Sequence, residues 1–268
     1  MSKVYTLKET EGFSIDQYNN SISTLNNIVI EKAKDQDEYW YWIDGKSSRV
    51  VIISFDEKTV EIKNMFMSSK EDYLFTNILV EKMVSLFGGK IFNEMGEKLS
   101  HLIYNEEKIE TCIDEDFDLT IAMMVNEHHT EFTTVATRRI YLGPKMFNRL
   151  KHLNRELRKE AIFNTILKIN YGYPDYDYGD FYYMDLDRTT EMQIYRFEPV
   201  LIKKYDSLAF IDEKNMIFIT NDILNTILPE EWTLLDEYQV IAPVLSDESW
   251  EKFVNKAKNH DLWGKPAK

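Results

Sequence analysis

DEYWYWIDGKSSRVVIISFDEKTVEIKNMFM, residues 37–67, decides the fold class. Apolar and polar residues alternate through most of it, which is the period of a strand with one buried face. DEYWYWI runs into Asp44-Gly45, a dipeptide suited to the backbone of a hairpin turn. RVVIISF follows, then the polar DEKT, then VEIKNMFM. This pattern predicts a three-stranded antiparallel meander. The period then changes. In SSKEDYLFTNILVEKMVSLFGG (68–89), Leu79, Met83 and Leu86 share one helical face, with Phe75, Ile78 and Phe87 beside it. Ser68 with Glu71, or Ser69 with Asp72, has the spacing of a capping box. Gly88-Gly89 supplies the stop. KIFN is read as a short strand and NEMGE as a turn.

Further along, DLTIAMMV (118–125) and FTTVATRRIYL (132–142) read as two strands joined by NEHHTE. Gly143-Pro144 opens a helix, since proline suits a first turn. A longer helix is expected over about 153–169, where Leu153, Leu157, Ala161, Ile162, Ile166 and Ile169 recur at helical spacing. MQIYRF and LIKKY read as extended, and LAFI pairs with MIFIT across DEKN. Asn221 is placed as the cap of a short helix that Pro229 ends. YQVIAPVL is a strand broken by Pro243. Ser246 caps a last helix, 247–259, which buries Trp250, Phe253 and Val254. Runs of strands punctuated by a few helices predict an α+β fold: antiparallel sheets, as meanders and hairpins, with amphipathic helices packed on one face. No linker rich in Pro, Gly or Ser divides the chain. A soft boundary near 105–117 gives an N-terminal α+β domain, 1–110, and a C-terminal one, 111–268, with a single continuous unit as the alternative.

The 268 residues are 44% hydrophobic and 13% aromatic, which argues for a folded chain. No run reaches the roughly 18 apolar residues of a membrane span, and MSKVYTLKETEGFS has no signal-peptide core. Cys112, the single cysteine, excludes an internal disulfide framework, so the cytoplasm is the expected compartment. The net charge is −14. Such a chain is a poor ligand for phosphate backbones and steers well toward a basic partner. Residues 105–131 hold nine acids and the single base Lys108, whereas 138–159 hold eight bases and the single acid Glu156. The two blocks either neutralise one another or form two solvated faces.

Several chemistries lack their signatures. There is no GxGxxG, no GxxxxGK[ST] and no GxSxG. Cys112 lies in IETCIDEDFD, where carboxylates weaken a thiol as a nucleophile. His128-His129 reads as a polar loop, because neighbouring side chains on a strand point to opposite faces and HExxH is absent. DYDYGD starts like a calcium loop and fails at Gly179, Asp180 and Leu186. Asp175-x-Asp177 and Asp185-x-Asp187 match DxD without a nucleotide fold around them. No catalytic residue, metal ligand or cofactor is assigned.

YGYPDYDYGDFYYMDLD, residues 171–187, concentrates six Tyr and five Asp with no base. Tyr buries much area with few rotors and keeps a polar tip, and it is enriched in interfaces. Tyr173, Tyr176, Tyr178 and Tyr182 are therefore candidate anchors, with Asp175, Asp177 and Asp180 to meet Lys or Arg of a basic protein partner. The structural alternative is a Tyr-rich loop packed over a sheet edge, its Asp residues bonding turn amides.

VEIKNMFMSSKEDYLFTNILVEKMVSLFGGKIFNEMGE (60–97) resembles one block of an uncharacterised bacterial family, a domain of unknown function. IYLGPKMFNRL (140–150) and AIFNTILKINY (161–171) are similar in outline to its later block. No catalytic motif defines that family, so the resemblance implies no active site. In type, an acidic chain without catalytic signatures resembles the immunity proteins encoded beside bacterial toxins. That resemblance implies a toxin domain as the partner, blocked sterically and by charge. Two other classes stand beside it: a carboxylate- or metal-dependent enzyme acting on sugars or nucleotides, and an acidic nucleic-acid mimic from a mobile element.

Overall fold

The meander forms as read. The computed structural model describes residues 2–33, 37–55, 59–99, 102–133, 138–173, 176, 180–184 and 189–262, with backbone alone at 181–184 and 189. The chain opens with β1 (Lys3–Lys8), α1 (Ile15–Ile22) and β2 (Ile28–Lys32). The meander follows as β3 (Glu38–Ile43), β4 (Val51–Phe55) and β5 (Thr59–Asn64), then α2 (Lys70–Phe87) and β6 (Lys90–Asn93). They build a six-stranded sheet in the order β2-β3-β4-β5-β1-β6, antiparallel throughout. The register lines up Ile53, Ile62 and Tyr5 across three strands, and Val60, Leu7 and Ile91 across three. These inward positions join Tyr73, Phe75, Leu79, Met83 and Phe87 of α2 in one core. Two of its buried tyrosines bond their hydroxyls: Tyr18 donates to the Leu79 carbonyl at 2.9 Å and Tyr41 to Asn19 Oδ1 at 2.6 Å.

Of the two spacings read for a capping box, Ser69 with Asp72 is the one used. Ser69 Oγ accepts from the Asp72 amide at 3.3 Å, and the Asp72 carboxylate accepts from the Ser69 amide at 2.7 Å. The Asp44-Gly45 turn is longer than a two-residue hairpin because its distal part turns inward. Ser47, Ser48 and Arg49 are all buried, and Asp72 binds Ser48 Oγ at 2.7 Å and the Arg49 amide at 3.1 Å. One carboxylate therefore caps a helix and anchors a hairpin loop.

The middle of the chain corrects the sequence reading. Residues 118–125 are not a strand; they are the second half of α3 (Glu106–Val125). TIAMMV is too short an apolar run to separate strand from helix by itself. The acidic stretch before it belongs to the same element: Ile109, Cys112, Asp116, Phe117, Thr120 and Met124 form one buried helical stripe. Asn105 caps it by accepting from the Lys108 amide at 2.8 Å, and Glu106 and Glu107 suit the positive end of the helix dipole. The boundary expected near 105–117 thus lies inside a continuous helix. Residues 132–142 are likewise not one strand but parts of a hairpin, β7 (Thr130–Thr133) and β8 (Arg139–Leu142). After it come α4 (Pro144–Leu150) and α5 (Arg155–Tyr171), the latter capped by Asn154. Phe117, Ile140, Met146, Ile162, Ile166 and Ile169 share a second core with Leu201 and Leu235 from further along.

The remainder comprises β9 (Phe181–Met184), β10 (Thr189–Tyr195), β11 (Val200–Ile202), β12 (Ser207–Ile211), β13 (Met216–Ile219), α6 (Asn221–Ile227), β14 (Thr233–Leu234), β15 (Val240–Ala242) and α7 (Asp247–Lys258). Two small sheets, β13-β12-β10-β9 and β11-β15-β14, pack with α7 around Phe210, Trp232, Trp250 and Phe253. β10 and β12 pair in parallel, an exception to the expected antiparallel pattern, because the intervening β11 joins the other sheet. Thr220, not Asn221, caps α6. The Asn221 amide is committed elsewhere, donating to the Lys203 carbonyl at 2.7 Å and accepting from the Tyr205 amide at 3.0 Å. Among the described residues, no helix is long and apolar enough to cross a membrane.

The β12–β13 turn carries a pH-sensitive tie. Asp212 accepts from Trp250 Nε1 at 2.6 Å and from the amides of Lys214 and Asn215, each at 2.7 Å. Burial pushes its carboxyl upward, but these hydrogen bonds win and hold it at about 2. A depressed carboxyl contributes stability that is present above its unfolded value and lost as pH falls through its folded value. Asp212→Asn should therefore cost about 2 kcal/mol at neutral pH. The gap from wild type should close as pH falls below about 4, in urea titrations run across that range.

Candidate functional site

The structure places the candidate Tyr/Asp residues unequally. Tyr173 follows α5 and turns inward. It is 9% exposed, belongs to the second core and lies under the Arg138 guanidinium at 4.5 Å. This corrects its assignment as an outward anchor. α5 runs two residues beyond its expected end, which carries Tyr171 and Tyr173 onto the body of the molecule. Tyr171 donates to the Ser47 carbonyl at 3.0 Å. Tyr176 is half-buried and Asp180 exposed, its carbonyl accepting from the Gln193 amide at 2.8 Å. Tyr182 lies in β9 opposite Glu191. The side chain of Tyr182, and Asp175, Asp177 and Tyr178 entirely, fall outside the described residues.

The acidic and basic blocks do meet. Arg155 bridges Asp118 at 3.0 Å and Asp114 at 3.2 Å, and Lys159 bridges Asp114 at 2.8 Å and Glu156 at 2.8 Å. The hydrogen bond from Lys159 is the main reason the Asp114 carboxyl lies below its ordinary range. Beside this seam a groove of about 390 Å³ opens between the N-terminus of α2, α3 and α5. Its apolar wall is Ile113, Leu157, Phe163 and Leu167. Leu157, one of the apolar residues at helical spacing that marked this helix in the sequence, is 48% exposed. Of the charges on the rim, Lys70 is held by Glu106 at 2.9 Å and Lys159 by α3. Glu71 and Glu160 are exposed and make no ion pair among the described residues. Sequence reasoning missed this groove, although a signal existed. The apolar residues of α5 occupy more than one stripe, since Leu157, Phe163 and Leu167 lie off the row of Ile162, Ile166 and Ile169 that fills the core.

A second cluster joins distant parts of the chain. The loop between β14 and β15 buries Asp236, Glu237 and Gln239. Asp236 accepts from the Tyr141 amide at 2.8 Å, and Glu237 accepts from the Met146 amide at 2.8 Å at the start of α4. His129 Nε2 lies 3.1 Å from Tyr238 Oη and 3.4 Å from Glu237 Oε1. Imidazole, phenol and carboxylate are thus in reach of one another, but the carboxylate is occupied by the first amides of α4 and the cluster acts as a tie. Among the described residues, no group of three or more His, Cys, Asp or Glu side chains is placed to hold a metal ion. Cys112 is buried; burial first, then Glu115 and Asp116, push its thiol up against the opposing pull of Lys3. That is poor preparation for a nucleophile.

The tie is tight at Gly143. A Cβ there would sit 2.5 Å from His129 Cδ2 and 2.9 Å from Glu237 Cδ. Gly143→Ala should therefore displace the His129–Glu237 contact and destabilise the protein by about 2 kcal/mol, as overpacking does, read from the shift in denaturation midpoint. The double variant Gly143→Ala, His129→Ala should recover part of the loss.

A family model described as "Domain of unknown function (DUF4299)" matches residues 1–171. The match takes in the six-stranded sheet, α3, the β7–β8 hairpin and all three walls of the groove, and it ends on the last residue of α5. The segments 60–97, 140–150 and 161–171, whose pattern pointed to an uncharacterised family, all lie inside it. Searches of the curated proteins and of the solved structures each returned no match. With well over half of its length covered, the chain belongs to the DUF4299 family.

Proposed function

We propose that this protein is an acidic binding protein that occludes a basic protein partner, with an immunity protein neutralising a bacterial toxin as the leading case. The observation that carries this reading is the division of the carboxylates. Four of the buried ones serve the fold directly: Asp72, Asp116, Asp236 and Glu237 each accept from backbone amides, and the buried Glu191 accepts from the Gln193 side chain at 3.5 Å. The surplus behind the net charge of −14 is therefore carried by the surface, where it steers encounter and pairs with Lys or Arg. The test is isothermal titration of the chain with the protein encoded by the adjacent reading frame, at low and at high salt. Binding at low salt that weakens as salt rises is expected. A flat titration at both salts would remove the immunity reading.

A further inference from the structure

The groove between α2, α3 and α5 has a shape and a charge pattern that name an occupant. On α5, Leu157, Glu160, Phe163 and Leu167 run along one side of the helix. From the first to the last is ten residues, or about 15 Å at the helical rise, close to three turns. Every wall is helical: the start of α2, Ile113 of α3, and α5. Helix walls offer side chains but no free row of backbone donors and acceptors. A segment that buries itself there must satisfy its own amides and carbonyls, which excludes an extended strand and selects a helix. The apolar wall requires an apolar stripe on that helix. Glu71 and Glu160 on the rim require positive charge flanking the stripe. On α2, Leu74 and Ile78 continue the outward face that begins at Glu71 and are 44% and 41% exposed. Their spacing of three and seven residues keeps them on one side of the helix.

We infer that this groove receives an amphipathic α-helix of the basic partner, its apolar stripe against Ile113, Leu157, Phe163 and Leu167, and its Lys or Arg side chains beside Glu71 and Glu160. The inference rests on the binding function proposed above and adds to it a place and a partner chemistry.

The probe is a synthetic peptide of Leu and Lys with Leu at positions i, i+3, i+4 and i+7. Its control has the same composition, scrambled so that no apolar face forms. Fluorescence anisotropy at low salt measures both against the full chain and against Leu157→Ser and Glu160→Lys. Both sites are exposed, and unchanged circular dichroism and thermal midpoint confirm the fold of each variant. The expected result is at least about tenfold preference for the amphipathic peptide, a loss of about tenfold in Leu157→Ser and a loss of about fivefold in Glu160→Lys, the scale on which a single interface residue acts. Equal binding of both peptides, unaffected by Leu157→Ser, would overturn the groove and leave the acidic binding function standing. No binding of either peptide would overturn the groove as a helix site, while the binding function would still stand or fall on the titration above. A concentration-dependent dimer abolished by Leu157→Ser would assign the groove to a second copy of the chain and overturn the inference.

Discussion

Replacing Asp72 with alanine should lower stability by about 4 kcal/mol, the scale on which a buried charge network fails when one member is removed. Asp72 is fully buried. Its Oδ2 accepts from Ser48 Oγ, from the Arg49 amide and from the Ser69 amide. Alanine would strand the two amides in the interior at a cost of about 1–3 kcal/mol each. It would also break the capping box, worth about 1 kcal/mol, and leave the buried Arg49 guanidinium with one less neighbouring carboxylate. Burial already pulls Arg49 down to about 10 despite Asp72 and Asp116. Urea denaturation should show a lower midpoint at unchanged slope. Asp72→Asn keeps an acceptor and should lose about half as much. The sign of its pH dependence is opposite to that of Asp212. Burial raises the Asp72 carboxyl against the pull of its hydrogen bonds. A raised carboxyl contributes stability that is present below its unfolded value and is lost as pH rises through its folded value. Wild type should therefore weaken relative to Asp72→Asn as pH climbs from about 4.

Asp236→Ala is expected to cost about 3 kcal/mol, with a local signature. Asp236 is buried and gathers the Tyr141 amide at 2.8 Å, the Tyr238 amide at 2.9 Å and the Gln239 amide at 2.8 Å. The first of these crosses 95 residues of sequence and fixes β8 to the loop before β15. Loss of that tie should raise hydrogen exchange in residues 139–146 more than in the six-stranded sheet, because local openings follow the contacts that hold each unit. Uniform acceleration across both regions would mean that Asp236 acts on global stability alone.

What the sequence disclosed was local. The meander and the capping box were legible because alternation, Asp44-Gly45 and the Ser69–Asp72 spacing act within a few residues. α3 was not, because its apolar end was too short to choose a period and its acidic start was read as a soft boundary. Only packing shows that Ile109, Cys112 and Asp116 continue the stripe of Phe117, Thr120 and Met124. The placement of Tyr173 failed for a similar reason, since a slightly longer α5 carries it inward. The site residues Leu157, Glu160 and Glu71 come from two helices far apart in the chain. Their meeting depends on how α2, α3 and α5 pack, which no single stretch encodes. Leu157 itself shows the difficulty: an apolar residue on a second stripe of the helix does not by itself tell a core wall from a groove wall.

Carboxyl footprinting of the chain, alone and saturated with whichever protein the adjacent reading frame encodes, reads the role of the groove directly. Asp72 and Asp236, both buried, should resist labelling in either state and serve as internal controls. Glu71 and Glu160, both exposed, should label readily in the free chain and lose that labelling in the complex, while Glu251, exposed on α7, should stay reactive. A complex in which Glu71 and Glu160 remain as reactive as in the free chain would contradict that role.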